Sequence, residues 1–172
     1  MKNHQFIKSF LIICVSLIAF TVFCAGCRLV DEESKKVREY LTAGLEQHEN
    51  KNYMSAFSYY EKAFEINPNN PAIYLNIGFL YADLCVWDRA IELNKFALEL
   101  YPRYLKAYQN LEYCYSQTGE TDLMMQICNN AFEINPNDSF THNNRGNIYL
   151  VNGELDKAEM DFDLSIEYDK KN

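Results

Sequence analysis

The stretch Ala63-Phe64-Glu65-Ile66-Asn67-Pro68-Asn69, AFEINPN, returns letter for letter at Ala131 to Asn137, 68 residues later. Sixty-eight is twice 34, and midway between the copies lies a weaker one, Ala97 to Pro102. Pro68, Pro102 and Pro136 therefore fall on one 34-residue beat, whose next stroke is Lys170. The beat frames four units: Val37–Asn70, Pro71–Tyr104, Leu105–Asp138 and Ser139–Asn172. A period of this length belongs to a helix-turn-helix repeat.

Counting places 1 to 34 within each unit, several columns agree. Place 4 holds Tyr40, Tyr74, Tyr108 and His142, and place 8 holds Gly44, Gly78, Glu112 and Gly146. Place 11 reads Gln47, Tyr81, Tyr115 and Tyr149. Place 20 reads Ala56, Ala90, Met124 and Ala158, and place 27 reads Ala63, Ala97, Ala131 and Ser165. Places 4, 8 and 11 share one face of a first helix, and places 20, 24 and 27 share one face of a second. Small residues at places 8 and 20 let two helices approach closely. Each proline ends a second helix, because it cannot continue one. Asn70 and Asp138 are N-caps for the helices that follow, with Pro71 at a first helical position. Gly119 and Gly153 fill turns between paired helices.

This combination of aromatic, small and proline columns resembles the tetratricopeptide repeat, over residues 37–172. The resemblance implies an all-α fold, a right-handed α-solenoid of about four repeats. The third unit departs most, with Glu112 for glycine, Met124 for alanine and Cys128 for the usual aromatic. Met124 with Cys128 reads as a volume-conserving exchange. Glu112 has no visible compensation, which predicts a slight splay. Solenoid ends normally carry a polar cap. The last helix, from Leu155, offers Asp156, Glu159, Asp161, Asp163 and Glu167 for solvation, beside Phe162, Leu164, Ile166 and Tyr168. That end either frays or meets a partner.

The first residues stand apart. Lys2, His4 and Lys8 precede an apolar run from Phe10 to Phe23, closed by Ala25-Gly26. This is the layout of a secretory signal, and the run is shorter than the ~20 residues a membrane-spanning helix needs. Ala25-Gly26-Cys27 resembles the lipobox of bacterial lipoproteins, with Cys24 where that family prefers leucine. The resemblance implies a signal peptide over 1–26, a covalent lipid on Cys27, and a short tether over 27–36. An ordinary signal with an unmodified Cys27 is the rival reading. A redox role for Cys24-x-x-Cys27 lacks the βαβ context it would need. Two or more acyl chains make attachment durable, at about 0.8 kcal/mol per buried methylene. The expected location is the non-cytoplasmic side of a bacterial envelope membrane, at the outer membrane or the periplasmic face.

Removing residues 1–26 takes Lys2 and Lys8 from the 16 basic residues and nothing from the 24 acidic ones, moving the net charge from −8 to −10. No basic stripe remains, so nucleic-acid binding has no electrostatic support. No phosphate loop, zinc-binding His-Glu-x-x-His or nucleophile elbow occurs, and no enzyme, metal or cofactor is expected. His142 occupies an aromatic column and reads as packed structure. Asp161 and Asp163 read as solvated charges. Cys85, Cys114 and Cys128 read as small buried hydrophobes.

In stacked tetratricopeptide repeats the first helices line a concave groove, chiefly through places 2, 5, 6, 9, 12 and 13. Place 6 reads Thr42, Asn76, Asn110 and Asn144; place 5 reads Leu41, Leu75, Gln109 and Asn143; place 9 reads Leu45, Phe79, Tyr113 and Asn147. The three place-6 asparagines resemble the asparagine ladder of O-linked N-acetylglucosamine transferases, implying a grip on an extended peptide backbone. Asparagine is also common at this place in the family generally. The groove grades from apolar in repeats 1–2 to amide-rich in repeats 3–4. The carboxylate clamp of co-chaperones is not supported, since Leu41 and Leu45 stand where it needs Lys and Asn. The expectation is a non-enzymatic binding scaffold for a protein or peptide. The alternative is a self-assembling envelope protein, joined through its uncapped last repeat.

Overall fold

The computed structural model describes residues 31–170. The expected signal peptide and Cys27 lie outside the described residues. Eight helices and no strand are found within them. Helix α1 spans 31–49. It is followed by α2 (Tyr53–Ile66), α3 (Pro71–Asp83), α4 (Trp87–Leu100), α5 (Leu105–Thr118), α6 (Thr121–Ile134), α7 (Ser139–Val151) and α8 (Leu155–Asp169). Each framed unit is one helical hairpin, and the hairpins stack in order into an α-solenoid. Helix α1 starts before the repeat frame, so residues 31–36 of the expected tether are helical.

The repeated columns have distinct jobs. Place 8 meets place 24 inside each hairpin. A Cβ on Gly44 would lie 2.3 Å from the Tyr60 ring, on Gly78 2.5 Å from Asn94, and on Gly146 2.7 Å from Phe162. Glycine is needed there because a large side chain fills the facing position. The third hairpin reverses the sizes, with Glu112 facing Cys128. The exchange that conserves volume is therefore Glu112 with Cys128, which corrects the expected pairing of Met124 with Cys128. That hairpin is more open than the second and fourth.

Places 20 and 27 seat the next repeat. Ile73 packs in one cluster with Ala63, and Ala107 with Ala97; Leu80 packs with Ala56, Cys114 with Ala90, and Ile148 with Met124. Small seats and apolar knobs thus alternate along the solenoid, and the buried area is shared only between neighbours.

The joints between repeats are polar and equally regular. Tyr74 and Tyr108 hydroxyls donate to the carbonyls of Pro68 and Pro102, at 2.7 and 3.1 Å. His142 Nε2 donates to the Pro136 carbonyl at 2.9 Å. Asn67 and Asn135 accept from the backbone N–H groups of Asn69 and Asn137, both at 3.2 Å, so the two AFEINPN copies turn alike. Asn70 caps α3 through Ala72 N, and Asp138 caps α7 through Thr141 N.

Candidate interaction groove

The sequence-selected residues of repeats 1 and 2 come together. Leu41, Thr42, Leu45, Leu75, Asn76 and Phe79 line one concavity of about 540 Å³, with Tyr104 at the end of the second repeat and Lys106 from the third. Its floor is apolar because places 5 and 9 of α1 and α3 point to the same side. Leu45 and Phe79 are 45% and 44% exposed, while Leu75 is buried. At one end His48 Nε2 pairs with Asp83 Oδ2 at 2.9 Å, tying α1 to α3. His48 was not singled out from sequence; its signal was place 12 of a groove-facing helix. Glu49 and Lys51 complete that polar end, and Lys106 stands on the lining contributed by α5.

The place-6 amides do not form an open ladder. Asn110 is 1% exposed and donates to Asn94 Oδ1 at 3.0 Å; Asn94 in turn donates to the Ala90 carbonyl. Asn144 donates to Glu112 Oε2 at 2.7 Å. Each of these amides reaches back to a polar group of the preceding repeat, at place 24 or place 8. Asn76 has no such group to reach, because repeat 1 offers Gly44 and the Tyr60 ring at those places. It makes no side-chain hydrogen bond to another described residue and lines the concavity. Thr42 is committed to its own helix, donating to the Arg38 carbonyl. Gln109 donates to both Asp138 oxygens, at 3.0 and 3.2 Å. Tyr113, Asn143 and Asn147 are exposed but lie outside this concavity, Tyr113 with its ring edge-on to Trp87.

A larger hollow of about 810 Å³ lies between α2 and α4, lined by Phe57, Phe64, Tyr74 and Phe96 among others. Its rings already meet edge to face, Tyr74 at 6.2 Å from Phe64 and 4.6 Å from Phe96.

One acidic residue is placed differently from expectation. Asp161 is fully buried, not solvated. Arg145 grips it with two bonds, at 2.6 and 2.7 Å, and His142 Nδ1 lies 2.9 Å away. Burial pushes the Asp161 carboxyl up, but the Arg145 and His142 bonds outweigh it and hold it below the ordinary value. His142 is packed structure, as its column implied, with the rings of Phe132 and Tyr168 against it. Glu112 is likewise fully buried, and burial is the main cause that raises its carboxyl to about 7. Of the cysteines, Cys114 and Cys128 are buried and unpaired, whereas Cys85 is exposed.

Family profiles described as tetratricopeptide repeat match residues 40–70, 105–138 and 127–160, together half of the chain. The chain belongs to the tetratricopeptide repeat family. Solved structures agree on the fold. A thermophilic tetratricopeptide repeat protein of Thermus thermophilus, TTC0263, is 23% identical over 78% of this chain and 75% of its own, with a TM-score of 0.67. The protein MamA is 20% identical over 84% of each chain, with a TM-score of 0.69. The tetratricopeptide repeat domain of Arabidopsis OM64 is 16% identical over 67% of this chain and 96% of its own, with a TM-score of 0.63. A search of curated proteins found no match to the sequence.

Proposed function

We propose that this chain is a non-enzymatic scaffold, which captures a protein segment on the concave side of its first two repeats. The carrying observation is the apolar cradle of Leu41, Leu45, Leu75 and Phe79, with the uncommitted Asn76 amide in the same wall. Such a surface suits a peptide or helix with apolar side chains, oriented by one or two backbone hydrogen bonds. Family membership supports protein binding in general, and no catalytic family matches. Phe79→Ala should weaken capture of the native partner at least tenfold while leaving the helical circular dichroism unchanged. Unaltered capture by that variant would refute the cradle.

The scaffold is lipid-anchored through Cys27 and faces away from the cytoplasm, a reading supported by the lipobox resemblance of Ala25-Gly26-Cys27 behind an apolar run. Mass spectrometry of the mature N-terminus tests this: an acylated Cys27 is expected, and a plain amine on any other residue contradicts it.

Head-to-tail self-assembly is the weaker reading. Repeats 2–4 bury Ile73, Ala107 and Thr141 at place 3, and Leu80, Cys114 and Ile148 at place 10. Repeat 1 has exposed Glu39 and Glu46 at those places, and α8 exposes Asp156, Glu159 and Asp163. Stacking the two ends would bring like charges together, which costs free energy.

A further inference from the structure

The joint between the third and fourth repeats contains a chain of polar groups with one proton too few. Glu112 on α5 is fully buried. Its Oε2 accepts from Asn144 Nδ2 at 2.7 Å, and its Oε1 lies 3.3 Å from Thr141 Oγ1. The same Thr141 hydroxyl lies closer, at 2.8 Å, to Asp138 Oδ2. A threonine hydroxyl carries one proton and cannot donate it to two carboxylates. Asp138 has the stronger claim, because it is the N-cap of α7 and already accepts from Thr141 N and Gln109 Nε2. With that proton given to Asp138, the Thr141 oxygen can only accept from Glu112. The contact then bonds only when the Glu112 carboxyl is protonated. The other groups facing Glu112 are Cys128 from α6 and Asn144 from α7, and no cation pairs with it among the described residues.

We infer that Glu112 is a pH-sensitive latch between the third and fourth repeats. Protonated, it donates to Thr141 and accepts from Asn144, closing α5 and α6 onto α7 and α8. Ionised, it sets a second carboxylate against a single hydroxyl proton, and the fourth repeat loosens. Burial, reinforced by the Asp138 charge, raises the carboxyl to about 7 in spite of the bonds from Asn144 and Cys128, so the latch works near neutral pH. The closed joint holds its proton from the ordinary value of 4.5 up to about 7, whereas the opened joint does not. Closure therefore weakens as pH rises through that window and levels off above it.

The test is amide hydrogen exchange of the full chain from pH 5 to 8, corrected for intrinsic rates, with a ¹³C titration of the Glu112 carboxyl. Opening of α7 and α8 should grow by up to about tenfold per pH unit between pH 5 and 7, then level off. Helices α3 and α4 should not follow. Glu112→Gln supplies the missing proton permanently through its amide, so its α7 and α8 protection should be flat with pH. A Glu112 carboxyl already ionised at pH 5 overturns the latch. So does an equal pH slope in Glu112→Gln. Should that variant fail to fold, the carboxyl titration of the native chain still decides.

Discussion

Lys51, Cys85, Gly119 and Gly153 all stand at place 15, where each hairpin turns, and all have positive φ, between 57° and 77°. A side chain in this left-handed region costs roughly 1 kcal/mol, which glycine avoids. Lys51→Gly and Cys85→Gly should each stabilise the fold by about 0.5 to 1 kcal/mol, raising the melting temperature by a few degrees. A decrease would show that side-chain contacts of Lys51 or Cys85 outweigh the strain. Gly119 and Gly153 were readable as turns because glycine announces itself. The same turn at Lys51 and Cys85 was readable only by carrying the column across repeats.

At the scale of helices and hairpins, the sequence disclosed whatever repeats and concealed whatever does not. The prolines, the caps at Asn70 and Asp138, and the alanine seats at places 20 and 27 recur, so periodicity exposed them. Asp161 and Asn110 were misread as surface or groove residues, and the partners of Glu112 went unseen, because polar side chains on a lone helix give no sign of the neighbour that buries them. Their partners sit 16 to 32 residues away, across a hairpin or in an adjacent repeat. The Asp161 cluster should matter greatly to α7 and α8. Asp161→Asn keeps the volume but leaves the Arg145 guanidinium without its counter-charge, at a cost of about 3 kcal/mol by chemical unfolding. A loss under about 1 kcal/mol would mean that water already screens the pair. Because the Asp161 carboxyl is held below 3.8, its contribution is present above that value and fades as pH falls through it. Acid unfolding of Asp161→Asn should therefore be shallower than that of the native chain.

On the scale of the whole molecule, two ends and one face define what the solenoid can do. Exposed carboxylates stand at Glu39 and Glu46 on one end, and at Asp156, Glu159 and Asp163 on the other, which would repel one another if copies stacked end to end. Sedimentation at tens of micromolar and physiological salt should find a monomer, and a concentration-dependent dimer would restore the self-assembly reading. The concave face is apolar only across repeats 1 and 2. Further along, Gln109, Asn110 and Asn144 hold repeats together, so the groove narrows to one cradle. The cradle claim is tested most directly by site-specific photocrosslinking in the cells that make the protein. A photoreactive phenylalanine analogue would replace Leu45, Phe79, Phe57 or Phe96 in turn. The account predicts one discrete adduct from positions 45 and 79 and none from 57 and 96. Adducts from 57 and 96 alone would contradict it, by placing the partner on the opposite face.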